Sequence, residues 1–176
     1  NKFTEFYRDL WLFIYFCNGI NVADLINLKF SDIQNGEISF IREKTKDRTR
    51  DTKRIYAPIT PEMQSIIEKW GNNPRKSIYI FPFMKAGDDA WEHEKKKKNL
   101  TKHINDRMKV IGEKLNIGKI TTYVARHTYA TVLRNEGVPV SIISPMLGHT
   151  SITTTEIYLA DLESENRARN ASLLSF

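Results

Sequence analysis

A single cysteine in 176 residues, Cys17, excludes any disulfide within the chain. The disulfide-stapled secreted scaffold goes with it, and a reducing, cytoplasmic home fits the scarcity. Cys17 closes the apolar run that starts at Leu12, and a thiol in that setting reads as a small buried hydrophobe, not a nucleophile. Nowhere does the chain approach the ~18 consecutive apolar residues of a membrane span, and its start lacks the basic-then-apolar order of a signal peptide. No membrane partner is expected. The four histidines show no His/Cys ligand spacing, and there is no acidic cluster of the kind that holds magnesium, so neither a metal nor another cofactor is expected. Internal repeats and low-complexity tracts are also missing. The chain opens at Asn1 directly in a helical pattern, which reads as a segment of a longer protein.

What is present supports one compact domain. Hydrophobic residues make up 40% of the chain, enough to bury a core at this length. Lys and Arg number 27 against 21 Asp and Glu, a formal net charge of +6, which favours an acidic partner such as nucleic acid. Phe3, Phe6, Leu10, Phe13 and Ile14 recur at helical spacing, so residues 4 to 17 read as an amphipathic helix ended by Gly19. A short helix is expected over Val22 to Leu28. Ile38 and Phe40, then Arg54 to Pro58, read as two strands of a hairpin with a basic tip at Lys44 to Thr52. Thr60 and Pro61 open a helix whose buried stripe is Met63, Ile66, Ile67 and Trp70, ended by Gly71. Tyr79 to Pro82 reads as a third short strand and 85 to 90 as a loop. Leu100, Ile104, Met108, Ile111 and Leu115 mark a long helix flanked by Lys95 to Lys98, a run that reads as a solvated face with phosphate contact as the alternative. Three more helices are expected at Thr122 to Glu136, Val140 to Leu147, and around Thr153 to Leu159. The fold class is therefore mainly α with a small antiparallel β-sheet.

The chemistry-bearing residues cluster in the last third. Leu147-Gly148-His149 is followed, nine residues after the histidine, by Tyr158, and upstream lies Tyr123-Val124-Ala125-Arg126-His127. An arginine offers a planar fork of donors matched to phosphate oxygens and stays charged at physiological pH. A histidine can donate to phosphate or take a proton near neutrality. A tyrosine supplies an oxygen nucleophile whose phosphate ester is itself reversible.

Together these segments resemble the second signature half of the tyrosine recombinases, the phage-integrase family: His-x-x-Arg, then Leu-Gly-His, then a tyrosine. Gly19 to Leu25, Gly-Ile-Asn-Val-Ala-Asp-Leu, resembles the first half, and Lys44-Thr45 resembles the strand-turn lysine. The resemblance runs from about residue 10 to 160. It implies a catalytic domain over 1–160, a tail over 161–176 whose Leu173, Leu174 and Phe176 would dock on a neighbouring protomer, and a DNA-binding domain upstream of this segment. It implies metal-independent, site-specific strand exchange on double-stranded DNA, for integration or excision of a mobile element, by a homo-tetramer in the cytoplasm, associated with the nucleoid. In this reading Tyr158 is the nucleophile, Arg126 and His149 hold the phosphate, Tyr123 assists, and Lys44 protonates the leaving 5′ oxygen. Asn21 and Asp24 stand as supporting positions, with Asp24 also readable as an exposed helix acid, and His127 reads as a satisfied core histidine with support as the alternative. Lys46, Arg48, Arg50, Lys53 and Arg54 would grip DNA, and Tyr129 packs inward.

Two positions depart from the pattern. Asn21 stands where the family's first arginine belongs, and Tyr123 where a histidine is usual. Arg42, Arg54 and Arg8 are the candidates to replace the missing charge. The departures favour a catalytically weakened DNA-binding remnant; DNA relaxation of the type IB topoisomerase kind, and a metal-dependent nuclease for which the sequence offers no ligands, are the other readings.

Overall fold

The computed structural model describes residues 1–44, 54–149 and 151–160. Helix α1 (Lys2–Phe16) opens on the Asn1 side chain, which accepts from the Phe3 N–H, and it runs through the centre of the molecule. Leu10, Phe13 and Ile14 are fully buried on its inner faces, and α3 (Pro61–Trp70), α4 (Ala90–Leu115) and α5 (Thr122–Asn135) pack around it. Helix α2 (Val22–Leu25) follows a left-handed Asn18-Gly19 turn. A three-stranded antiparallel sheet of β1 (Ile33–Gln34), β2 (Glu37–Ile41) and β3 (Arg54–Pro58) lies beside it in the order β1-β2-β3. Helix α6 (Val140–Met146) and α7 (residues 152–160) close the chain's described part.

The fold class is the one expected, with three local corrections. Helix α2 ends at Leu25, three residues before the expected end at Leu28, because Leu28 turns away to accept from the Ile80 N–H at 2.8 Å. Tyr79 to Pro82 is not a third strand. It contributes one isolated bridge, Tyr79 to Lys29, and the third strand is β1, whose Ile33 and Gln34 pair with Ile38 and Glu37. Helix α4 starts at Ala90, inside the stretch 85 to 90 read as a loop, because the Asp89 side chain caps it by accepting the Glu92 N–H at 2.8 Å.

Two apolar clusters result. The larger spans α1, α2, the sheet, α3 and α4, and reaches α5 at Ala125. The smaller consists of Ala130, Ile143, Leu147 and Leu159, with Tyr129 and Tyr158 packed against it. Cys17 lies in the larger one, where burial pushes its thiol pKa well up and leaves it inert. No described helix is long and apolar enough to cross a membrane.

Candidate active site

The site forms where the two clusters meet, and two glycines make room for it. Gly19 has φ +63°, and a Cβ there would come within 2.8 Å of the Arg126 Cα and Cγ. Gly148 has φ +67°, and a Cβ there would come within 2.4 Å of the Arg42 Cδ and the Ile55 Cδ1. Each turn therefore needs glycine twice over, for its left-handed backbone and for the arginine stem lying on it.

Arg126 sits in α5, whose N-terminus is fixed from three sides. Thr121 caps it, Trp11 of α1 donates to the Thr121 carbonyl at 2.7 Å, and the Thr122 N–H donates to Asn105 of α4 at 2.8 Å. Arg126 is 7% exposed. Its Nη1 donates to the Gly19 carbonyl at 2.8 Å, and Nη2 donates to the Leu147 carbonyl and to His149 Nε2, the latter at 3.3 Å. Three of its five N–H donors thus hold both signature turns. Burial, and then the charge of Arg42, lower its pKa to about 10, so it stays charged at neutral pH.

Because Arg126 can only donate, His149 Nε2 accepts, which puts the ring proton on Nδ1. That N–H donates to Thr155 Oγ1 of α7 at 2.8 Å. Burial first, then Arg126 and Arg42, push the His149 pKa down to about 4, so the ring is neutral at physiological pH. Tyr158 lies three residues beyond Thr155 on the same helical face. Its ring meets His149 edge-on at 5.8 Å, and its hydroxyl oxygen is shielded from solvent. The phenol is close enough to Arg126 to offset part of that arginine's lowered pKa.

His127 is no satisfied core histidine. It is half-buried and stacks on Tyr158 with ring centroids 4.8 Å apart and planes 13° from parallel. Among the described residues its buried Nδ1 has no hydrogen-bond partner. Burial and Arg126 lower its pKa to about 4. Tyr123 stands on the outside, 58% exposed, its ring edge-on to His127 at 3.7 Å and 6.3 Å from Tyr158.

Asp24 is not an exposed helix acid. It is buried, accepts the Glu43 N–H at 2.7 Å and is hydrogen-bonded by the Asn21 side chain; burial raises its pKa, against the pull of that N–H, Arg42 and Asn21. This bond ties the exit of β2 to α2. As a consequence Asn21, Asp24, Arg42 and Lys44 line one cavity of about 560 Å³, together with Lys97 and Thr101 of α4. Arg42 Nη1 donates to the Gly148 carbonyl at 3.1 Å. The other two candidate arginines are engaged elsewhere: Arg54 donates to the Ser39 carbonyl and hydroxyl at 3.0 and 2.7 Å, and Arg8 pairs with Asp9 on α1. Most of the lysine run is held within its own helix or at its start, by Lys97 and Lys98 with Glu94, Lys96 with Asp88, and Lys95 over the Trp91 ring at 4.7 Å.

Arg126, His149, Tyr158, His127 and Tyr123 therefore come together from α5, the Leu147-Gly148 turn and α7, with Asn21, Asp24 and Lys44 on the neighbouring wall. Arg54 faces another cavity. Lys46, Arg48, Arg50 and Lys53, and the tail 161–176, lie outside the described residues. Thr155, which fixes the tautomer of His149, escaped the sequence reading; its only signal is a polar residue three positions before the tyrosine.

The chain matches the phage integrase family over residues 4–165. It is 30% identical over 151 residues to the tyrosine recombinase XerA of Pyrococcus furiosus, covering 85% of this chain and 48% of that protein. A XerH site-specific recombinase bound to palindromic difH substrate matches with a TM-score of 0.58 and 18% identity, over 98% of this chain and 50% of that one. The Tn1549 transposon integrase, in complex with transposon right end DNA, matches with a TM-score of 0.57 and 20% identity, over 96% and 60%. The chain spans about half the length of the curated relatives it matches. With the match covering both signature turns, α5 and the tyrosine helix, the chain belongs to the phage integrase family.

Proposed function

We propose that this domain cuts and rejoins DNA strands by transesterification at Tyr158, in a recombinase that integrates or excises a mobile element. The observation that carries this reading is the convergence of Tyr158, His149 and the buried Arg126, which three separate segments bring into contact or close electrostatic range of one another. The Tyr158 oxygen attacks a backbone phosphorus, forming a Tyr158 O–P bond and breaking the bond from phosphorus to the 5′ oxygen. The phenol proton leaves to a base, for which neutral His149 qualifies once its Nε2 is released from Arg126. Lys44, on the cavity wall, gives a proton to the departing 5′ oxygen. Charge gathering on the non-bridging oxygens is met by Arg126, already oriented and desolvated. The 3′-phosphotyrosyl ester conserves the bond, so a 5′ hydroxyl of a partner strand reverses the step without a nucleotide cofactor or metal.

Double-stranded DNA is the substrate in this reading, with a tetramer on two sites and the tail 161–176 exchanged between protomers. The test is covalent capture. The full-length protein, incubated with a nicked duplex recovered from a random-sequence pool, is expected to give a gel-shifted DNA adduct that Tyr158→Phe abolishes. A DNA-binding remnant gives retention without an adduct, and that result would sink the proposal. Asn21 and Tyr123 are the residues that favour the remnant.

A further inference from the structure

Asn21 leaves the phosphate pocket one fixed charge short of the family pattern, and the geometry points to Arg42 as the residue that supplies it. We infer that Arg42, leaving β2 beside α2, contacts the scissile phosphate as the second guanidinium of the site. This rests on the strand-transfer reading above.

Three observations carry it. First, Arg42 and Asn21 line the same cavity, so a cation at residue 42 serves the space that a side chain at residue 21 would otherwise reach. Second, the two arginines grip consecutive carbonyls of one turn: Arg126 holds Leu147, and Arg42 holds Gly148 at 3.1 Å. Both therefore lie near His149, and each lowers its pKa. Third, the position is built. The buried Asp24 carboxylate accepts the Glu43 N–H at 2.7 Å and lies near enough to Arg42 to feel its charge, while Gly148 is bare where the Arg42 stem crosses it.

Two like charges held this close repel, which is seen in the lowering of the Arg126 pKa by Arg42. That is a cost to the DNA-free protein, and an arriving phosphate relieves it. A planar fork can keep a carbonyl on one edge and take a phosphate oxygen on another. A strand carries Arg42 into the site where the family pattern uses a helix N-terminus, so the charge is conserved in space and relocated in sequence.

The test uses the full-length protein and the nicked duplex obtained by covalent capture. Arg42→Gln, which keeps a side-chain N–H donor but is shorter and removes the charge, is expected to slow adduct formation by about 10²- to 10³-fold. Arg42→Lys should retain more activity than Arg42→Gln. A duplex with a methylphosphonate at the scissile position has no charge there to neutralise, and on it Arg42→Gln should approach the wild-type rate. The double variant Asn21→Arg/Arg42→Gln should recover at least about tenfold over Arg42→Gln, scaled against that same donor loss. If Arg42→Gln forms adduct as fast as wild type while Tyr158→Phe forms none, the inference is overturned and strand transfer stands. If Arg42→Gln is slow on phosphate and methylphosphonate alike, and Asn21→Arg does not help, Arg42 is a support for the Gly148 turn and the inference is again overturned. A wild-type protein that gives no adduct overturns strand transfer itself, and Arg42 with it.

Discussion

The cations and the nucleophile of this site stand on unequal foundations. Asp24 and the end of β2 adjoin the larger apolar cluster, and Arg126 follows directly on Ala125, which belongs to it. Tyr158 instead rests against the smaller cluster, whose buried members are Ala130, Ile143, Leu147 and Leu159. Buried apolar area sets how much free energy local opening costs. Arg126 is thus preorganised, while the Tyr158 helix is held by Leu159, the Thr155 hydroxyl and ring contacts. In the strand-transfer reading proposed above, that division keeps the charges aimed and leaves the helix of the nucleophile cheaper to displace.

The contrast is broken most severely from the larger cluster. Phe13, fully buried against Phe81 with ring centroids 5.0 Å apart, is expected to cost about 3–5 kcal/mol when cut to alanine. Urea unfolding should show a single transition moved to lower denaturant. Leu159→Ala is the counterpart. Leu-to-Ala changes cost about 2–5 kcal/mol in a packed core, but here the loss should fall on α7, so amide exchange at residues 152–160 accelerates while the global urea midpoint barely moves. Equal global losses from the two variants would show that the clusters unfold as one and would remove the distinction.

Between the two clusters lies Gly148. Gly148→Ala forces a Cβ into the Arg42 stem and Ile55, in a left-handed conformation that costs a non-glycine residue about 1–2 kcal/mol. Displacing both carbonyl clamps should slow adduct formation by roughly 10²-fold, since misplacement of about 1 Å has that effect. A variant with wild-type rate would mean that the turn does not set the geometry of the clamp.

Much of this was legible in the sequence, and what was not has a common cause. Helical periodicity revealed α1, α3, α4 and α5, and glycine and proline marked their ends. The spacing of Arg126, His149 and Tyr158 revealed the second half of the site, because those residues keep a local pattern. Asp24 stayed open between a supporting position and an exposed acid, since nothing local says that the Glu43 N–H will arrive from another element to meet it. Arg42 stayed level with Arg54 and Arg8 for the same reason: which way the residue just past a strand points depends on register, and the register of Ile41 opposite Arg54 is set by pairing across the hairpin. Tyr79 to Pro82 has strand-like residues, but Leu28 and Lys29 leave it a single bridge and no ladder.

The two neutral histidines give the comparison a pH dependence. His127 and His149 have pKa values near 4 in the folded protein, against about 6.5 unfolded. Between these values the unfolded chain binds more protons, so stability rises with pH from about 4 to 6.5 and levels off above. The melting temperature should follow that course. Replacing both with glutamine should flatten it, and an unchanged slope would assign the acid sensitivity to other groups.

The smallest expected effect sits where the two foundations touch. Thr155 is fully buried and its hydroxyl accepts the His149 N–H, so one hydrogen bond ties α7 to the turn that both arginines hold. Thr155→Val keeps the shape and removes the acceptor, at a cost of about 1 kcal/mol. Such a change is minor for folding, yet it frees the ring that faces Tyr158 and loosens the helical register of the nucleophile three residues on. Adduct formation should fall by about fivefold, the rate equivalent of a net hydrogen bond of that strength. Thr155→Ser separates the two contributions, since it restores the acceptor and omits the methyl. If serine recovers the rate and valine does not, the hydroxyl positions the nucleophile. If valine is as fast as serine, Thr155 only fills space, and α7 is registered by Leu159 and the rings alone.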